Sequence, residues 1–264
     1  MKLKIFQIDA FTDKVFSGNP AAVCIMDSWL DASLMQQIAA ENNLAETAFV
    51  VKDNGQYHIR WFTPEIEVDL CGHATLASAF VLFNHYTPDA ESIDFYSPRS
   101  GPLTVEKGND GYYVMDFPVD ELNEVESIPA INEALGINPK QTFKGQTDYL
   151  LICDSQKTIE EINPNFFLLD KIDARGVIVS AKGEDVDFVS RFFAPQSGIN
   201  EDPVTGSAHT TLTPYWSKVL GKNVLFAKQL SQRSGNLICE DLGERVKISG
   251  RAVSYLEGEI ELRF

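Results

Sequence analysis

The stretch SPRSGPLTVE at residues 97–106 returns as SQRSGNLICE at residues 231–240, with six of ten positions identical at an offset of 231 − 97 = 134. The same offset relates Gly72-His73-Ala74 to Gly206-Ser207-Ala208. Repeats of about 20–50 residues are typical of stacked solenoids, whereas a repeat of half the chain indicates two homologous lobes. The duplicated stretches therefore predict a two-lobed protein.

Both halves show the same order of predicted elements: a strand, helical residues, a strand pair, and an apolar helix headed by glycine. The apolar helices are predicted at residues 73–83 and 207–220. A helix that is apolar around its circumference is buried. We therefore predict an α+β fold of two pseudo-symmetric lobes, each a curved and mostly antiparallel sheet or barrel wrapped around a central helix.

The lobes are predicted to span residues 1–117 and 118–264, and the final strand could return to the first lobe. The acidic, proline-bounded residues 118–129 are predicted to link them. Asp31 is a predicted N-cap of a helix over residues 32–42, and Thr158 is a predicted cap of a short turn.

Composition narrows the class of partner. The 264 residues carry a net charge of −16, which repels nucleic acid and anionic membranes. We find no signal peptide and no long apolar segment, so a cytoplasmic location is predicted. The cysteines have no C-x-x-C spacing, and Cys24, Cys153 and Cys239 are predicted to be buried core thiols.

Glycine-headed helices are candidate anion sites. The helix starts at Gly72 and at Gly206-Ser207 offer unpaired backbone N–H groups and the positive end of a helix dipole. Such an end suits a carboxylate or an enolate oxygen. Because a duplicated chain places equivalent loops on either side of one cleft, we expect a small anionic ligand between the lobes.

Three polar residues are candidates for chemistry. Glu46 enters a strand among apolar neighbours, which suits a carboxyl group to proton transfer; the alternative is a surface glutamate at a helix end. His73 lies at a helix start whose dipole favours the neutral imidazole, and it is either an acid–base group or a capping residue. For Asp202, which precedes Pro203, an Asx-Pro turn is the simplest interpretation. Aligning the strand segments places Arg175 opposite Glu46.

Motifs for metals and nucleotides are absent from the sequence. The four histidines lack H-x-x-x-H spacing, so no metal site is predicted. There is no P-loop and no G-x-G-x-x-G, so no nucleotide cofactor is indicated. Ser207 lies in T-G-S-A rather than G-x-S-x-G, which argues against a hydrolase nucleophile.

Four segments carry a resemblance to a known family. They are DAFTDKVFSGNPAAV (9–23), NNLAETAFV (42–50), IRWFTPEIEVDLCGHATLASAF (59–80) and RFFAPQSGINEDPVTGSAHTTLTPYW (191–216). Together they closely resemble the PhzF-like phenazine-biosynthesis isomerases, over essentially the whole chain. That family has the two-lobed diaminopimelate epimerase fold. The resemblance implies an isomerase without metal or cofactor, in which one glutamate removes a proton beside a carboxylate-bearing carbon and returns it elsewhere.

The resemblance also implies roles for residues. Glu46 would be the acid–base group, with His73 and Asp202 positioning the substrate or assisting proton movement. The remaining implied substrate-binding residues are the backbones of Gly72, Gly206 and Ser207, and a pocket-closing loop that contains Gly18 and Asn19. A homodimer is favoured by the same analogy.

Two other functions compete with this one. An amino-acid racemase or epimerase of the same fold would use two opposed thiols, but residues 202–208 contain no cysteine to face Cys71. A non-catalytic ligand-binding homologue is the other alternative. The joint presence of Glu46, His73 and Asp202 argues against it.

Overall fold

The structure is a computed structural model that describes residues 1–263. These residues form two compact units, one of residues 1–116 with residues 249–263 and the other of residues 117–248. The first boundary lies one residue before the one placed from sequence. The second unit ends at Ile248, and the last strand belongs to the first unit, which is the alternative that the sequence left open.

The strands and helices have the following bounds. The strands are β1 (Lys2–Ala10), β2 (Asn19–Met26), β3 (Glu46–Asp53), β4 (Gln56–Phe62), β5 (Glu67–Val68), β6 (Ser92–Ser97), β7 (Gly101–Lys107), β8 (Tyr113–Pro118), β9 (Asn123–Val125), β10 (Gln141–Lys144), β11 (Asp148–Ile152), β12 (Gly176–Lys182), β13 (Phe188–Ala194), β14 (Ile199–Glu201), β15 (Val224–Gln229), β16 (Gly235–Asp241), β17 (Arg245–Gly250) and β18 (Ala252–Glu261). The helices are α1 (Ala32–Asn42), α2 (Gly72–Val81), α3 (Pro129–Leu135), α4 (Gln156–Glu161), α5 (Phe166–Leu169) and α6 (Gly206–Leu220). Short 3-10 turns cover Asn109–Gly111 and Pro195–Ser197.

Helix α1 covers the first unit's core from one side. Its buried residues Met35, Ile38 and Ala39 follow helical spacing and pack in one apolar cluster with strand residues such as Phe49. Asp31 occupies the N-cap position, as predicted, but its side chain makes no capping hydrogen bond. Its backbone carbonyl instead accepts the first hydrogen bonds of the helix.

Helix α2 is the central helix of the first unit. All its residues from His73 to Ala79 are buried, and it contacts β1, β2 and β3. A turn of π-helix, Leu82–Tyr86, continues it. Although α2 is apolar, neither it nor any other helix of residues 1–263 has both the length and the apolarity that a membrane crossing requires.

Strand pairing repeats between the units. The parallel pair β2–β3 recurs as β11–β12, and the parallel pair β4–β6 recurs as β13–β15. Three antiparallel pairs recur likewise: β3–β4 as β12–β13, β4–β5 as β13–β14, and β6–β7 as β15–β16. The predicted internal duplication and α+β class are thus confirmed at the level of strand pairing.

A partly buried ion pair is duplicated with the strands. In the first unit Arg60 donates to both oxygens of Glu67, at 2.7 and 2.8 Å. In the second, Arg191 donates to both oxygens of Glu201, at 2.7 and 3.0 Å. Such two-pronged pairing fixes the geometry of both side chains. The pair therefore holds the hairpin in each unit.

The second unit packs α3, α4 and α5 on β11, β12 and β13 around an apolar cluster that includes Cys153. Ser155, not Thr158, caps α4: the Ser155 hydroxyl accepts from the Thr158 backbone N–H at 3.2 Å. The predicted linker, residues 118–129, contains strand β9, which pairs with β10. The buried, free state predicted for Cys24, Cys153 and Cys239 is confirmed.

Pro214 lies inside α6 and removes one helical hydrogen bond, because proline has no N–H to offer the carbonyl of Thr210. The backbone N–H of Asp120 donates to that Thr210 carbonyl instead, at 3.4 Å. The Asp120 carboxylate also accepts from the hydroxyl of Thr211 at 3.0 Å. The proline thus frees a carbonyl that ties the segment after β8 to α6.

Candidate active site

The site in the first unit is built where β2 begins. Gly18 has a φ of +66°, and a Cβ atom there would lie 2.1 Å from the carbonyl oxygen of Ala10. Only glycine fits such a turn. The turn delivers Asn19, the first residue of β2, into the interior, where it is fully buried.

Asn19 contacts His73 rather than open space. Its Nδ2 lies 3.1 Å from Nδ1 of His73, which is the second residue of α2. Both side chains are buried. The Asn19 amide therefore lies against a candidate acid–base residue, and its role in substrate binding stays a prediction.

Glu46 reaches the other side of the same imidazole. It is the first residue of β3, and its Oε2 lies 3.1 Å from Nε2 of His73. The two side chains are only 12% and 6% exposed. No residue of 1–263 donates a hydrogen bond to Oε2. A buried carboxylate oxygen in this state retains an acceptor site for a proton.

The structure favours the protonated imidazole of His73, whereas the helix dipole predicted the neutral form. Burial lowers the pKa of His73, but Cys71 and Glu46 together outweigh burial, and the pKa is raised well above its ordinary value. Burial and the Glu46 charge raise the pKa of the Cys71 thiol to about 11, so the thiol is uncharged at neutral pH. The Glu46 carboxylate is then the group that favours the imidazolium.

Glu46, Cys71 and His73 offer metal-ligand atoms that all lie within 4.8 Å of one another. Zinc ligands, however, must converge on one ion at about 2.0–2.3 Å. The imidazole separates the other two donors: Glu46 Oε2 faces Nε2, while the Cys71 sulfur lies closer to Nδ1, at 3.5 Å, than to Nε2, at 4.0 Å. The three residues as arranged do not fit a single metal ion.

The structural counterpart of Glu46 in the second unit is Gly176, not Arg175. The parallel pairs match Ala21 with Glu46 and Asp148 with Gly176, at offsets of 127 (148 − 21) and 130 (176 − 46). A Cβ at Gly176 would lie 2.3 Å from the ring of Phe192. The second unit therefore has no room for an acid at this position.

The start of α6 carries the site residues predicted in the second unit. Asp202 precedes the helix, and its Oδ2 accepts from the Thr205 hydroxyl at 2.6 Å. Gln229 is fully buried; it accepts from the Thr205 backbone N–H at 2.9 Å and donates to the Asp202 carbonyl at 2.7 Å. These bonds fix the loop before Gly206. Sequence analysis did not single out Thr205 or Gln229, although the 134-residue offset aligns Thr205 with Cys71.

Ser207 lies beside a guanidinium group. Arg175 pairs with the buried carboxylate of Asp148 through two nitrogens and donates to the Ser207 hydroxyl at 3.0 Å. In the first unit, position 73, the counterpart of Ser207 (207 − 134 = 73), faces the Glu46 carboxylate. The two helix starts thus have neighbours of opposite charge.

Comparison with known proteins places the chain in a family. The family model described as phenazine biosynthesis-like protein matches residues 8–258. The chain belongs to this family. An uncharacterized isomerase of Pseudomonas aeruginosa is 51% identical over 262 residues, which cover 99% of this chain and 100% of the relative.

Solved structures of similar proteins support the same family assignment. A PhzF-family phenazine biosynthesis protein of Enterococcus faecalis aligns with a TM-score of 0.96 at 48% identity, over 99% of this chain and 100% of that one. A predicted epimerase of Pseudomonas aeruginosa aligns with a TM-score of 0.75 at 20% identity, over 99% and 100%; that likeness shows the fold alone. The family is of the isomerase and epimerase type, with the diaminopimelate epimerase-like fold that the sequence predicted.

Proposed function

We propose that this protein is an isomerase that moves a proton within a small carboxylate-bearing molecule, with Glu46 as its single acid–base group and without a cofactor. The observation that carries the proposal is the buried Glu46 Oε2, which accepts no hydrogen bond within residues 1–263 and lies 3.1 Å from His73. A carboxylate in this environment can accept a proton from a bound substrate and return it.

His73 supports Glu46 electrostatically. When Glu46 is a carboxylate, a protonated imidazole at 3.1 Å stabilises its charge; when Glu46 holds the substrate proton, that attraction is lost. Because the pKa of His73 is raised well above its ordinary value, the imidazole stays charged at neutral pH and favours the carboxylate form of Glu46. His73 thus acts as a charge partner for the proton-carrying residue.

The substrate carboxylate is proposed to bind the backbone N–H groups at helix starts. Gly72 is the first residue of α2, and Gly206 and Ser207 open the 15-residue α6. Unpaired N–H groups and the helix dipole favour an anion there. For Asp202 we retain a substrate-positioning role, and its bond to Thr205 supports a fixed side-chain orientation.

A two-thiol racemase mechanism receives no support from the cysteines. The position equivalent to Cys71 in the second unit is Thr205, and Cys153 and Cys239 are buried thiols whose pKa values are raised by burial to about 11 and about 12. A thiol of that kind is a poor base at neutral pH. Alkylation of thiols in the folded protein should therefore leave turnover intact.

Replacement of Glu46 tests the proposal. We expect Glu46→Gln to reduce turnover of any converted substrate by at least about 10³-fold, since the amide cannot take up a proton. The assay would follow a panel of small unsaturated carboxylates by proton NMR in deuterated water. Circular dichroism and the melting temperature would establish that the variant remains folded.

Glu65→Gln provides a matched control, because Glu65 is an exposed glutamate of the same unit. It should retain wild-type turnover. A folded Glu46→Gln protein that works as fast as this control would refute Glu46 as the acid–base group.

A further inference from the structure

Nδ1 of His73, the ring nitrogen that faces away from Glu46, contacts a second polar side chain, that of Asn19. Asn19 Nδ2 lies 3.1 Å from Nδ1, and the Cys71 sulfur lies 3.5 Å from the same atom. Asn19 is fully buried, and His73 is 5% exposed. The imidazole thus lies between Glu46 on β3, which faces Nε2, and Asn19 on β2, which faces Nδ1.

The amide is suited to either protonation state of the ring. An asparagine amide has N–H donors at one end and a carbonyl acceptor at the other. In the observed orientation Nδ2 faces Nδ1, and because an amide nitrogen can only donate, this contact fits a neutral ring whose proton is on Nε2, the nitrogen that faces Glu46. The imidazolium carries a proton on Nδ1 as well, and a turned amide would accept it through its carbonyl. No fixed donor or fixed acceptor could serve both states.

We propose that Asn19 is a positioning residue, whose side-chain amide keeps Nε2 of His73 directed at Glu46 in both protonation states of the imidazole. The rigid local backbone supports this role. The preceding Gly18 is confined to a left-handed turn against Ala10, and the Asn19 backbone pairs with Ala10 in the sheet. The proposal replaces the substrate contact implied for Asn19 by the family resemblance.

This inference rests on the proposed function only for the importance of the Glu46–His73 pair. Its direct test needs no substrate. The titration of His73 can be followed by NMR of the 15N-labelled imidazole, assigned by comparison with the His73→Gln protein. The titratable groups that face this ring within residues 1–263 are Glu46 and Cys71.

Two variants should move the titration in opposite directions. Asn19→Asp presents a carboxylate to Nδ1, so the midpoint of His73 should rise by about one pH unit or more. Asn19→Leu removes the acceptor for the Nδ1 proton and leaves a buried donor unsatisfied, so the midpoint should fall. With a converted substrate in hand, Asn19→Leu should also lower kcat by about tenfold or more, with a smaller change in KM.

Gln146 is the matched control, because it is the second-unit counterpart of Asn19 (19 + 127 = 146) and its side chain is exposed. Gln146→Glu should leave the His73 titration unchanged. If both Asn19 variants fold and titrate at the wild-type midpoint while only their melting temperatures change, Asn19 has a packing role and the proposal is wrong. If Asn19→Leu does not fold, the direction of the shift in Asn19→Asp decides.

Discussion

The two units build different chemistry on one strand plan. Cys71-Gly72-His73 at the start of α2 corresponds to Thr205-Gly206-Ser207 at the start of α6, at an offset of 134. On the neighbouring strand, Glu46 corresponds to Gly176. The pairing of strands and the Arg–Glu pair are retained in both units. The hairpin geometry therefore tolerates a complete exchange of the polar side chains at the helix start.

The two units also differ in the pKa of a buried histidine, His73 in the first unit and His209 in the second. Burial lowers the pKa of His73, but its interactions with Cys71 and Glu46 outweigh burial and raise the pKa. Burial lowers the pKa of His209, in α6, to about 4, and its one hydrogen-bond partner within residues 1–263 is the Thr205 carbonyl, at 2.8 Å. The two rings differ in pKa because ionisable side chains face His73, whereas burial dominates at His209.

The largest stability effect is expected from the duplicated ion pair. Arg191 donates to the Ile159 and Ile162 carbonyls as well as to Glu201, whereas in the described part of the chain Arg60 donates to Glu67 alone. Arg191→Gln should therefore reduce the free energy of unfolding by about 3–4 kcal/mol, and Arg60→Gln by about 1–2 kcal/mol. Urea unfolding of both variants measures the difference. Equal losses would show that the two pairs are energetically equivalent.

The second-largest effect is a pH dependence of the free energy of unfolding that is caused by His209. Its unfolded pKa is about 6.5 and its folded pKa is about 4, so the unfolded state binds the proton first as pH falls. Stability is therefore lost between these two values, by about 3 kcal/mol at completion. In His209→Gln this loss should be missing from the curve of unfolding free energy against pH.

Val219, an exposed residue of α6 that does not ionise, supplies the control for that measurement. Val219→Thr should follow the wild-type pH curve. Parallel curves for wild type and His209→Gln between pH 7 and pH 4 would contradict the lowered pKa. For His73 the pH dependence of the unfolding free energy has the opposite sign. Its stabilising contribution is complete below about pH 6.5 and is lost as pH rises through the raised pKa of the folded state.

The smallest effect concerns the glycine opposite Glu46. Gly176→Ala should reduce the free energy of unfolding by about 2 kcal/mol, because the new methyl group would overlap the ring of Phe192. Phe192→Leu should recover part of that loss in the double variant. Thermal unfolding of the single and double variants tests this; a Gly176→Ala protein as stable as wild type would mean that the ring has space to move.

Much of the fold could be predicted because it depends on local signals. The repeated SxRSG stretch indicated the duplication, and apolar spacing with a predicted cap gave α1 its observed bounds, residues 32–42. The cap of α4 was predicted at Thr158 but lies at Ser155. Both hydroxyls are within one turn of the helix start, and only the backbone geometry selects between them.

The errors at the site arise from contacts between distant parts of the chain. Glu46 was aligned with Arg175 because the offset between halves drifts by one residue, which sequence matching cannot resolve and strand register can. The neutral state predicted for His73 considered its own helix alone. The residue that changes it, Glu46, lies on another element, and Asn19 lies on a third.

Isotope retention tests the central claim, a single proton-carrying base, most directly. A substrate whose transferred position carries hydrogen would be converted in deuterated water, and the product would be examined by NMR at early turnover. Because one buried carboxylate both removes and returns the proton, part of the product should retain the substrate's own hydrogen at the new position. Product in which that position carries only solvent deuterium, from the first turnover and at every enzyme concentration, would contradict the account.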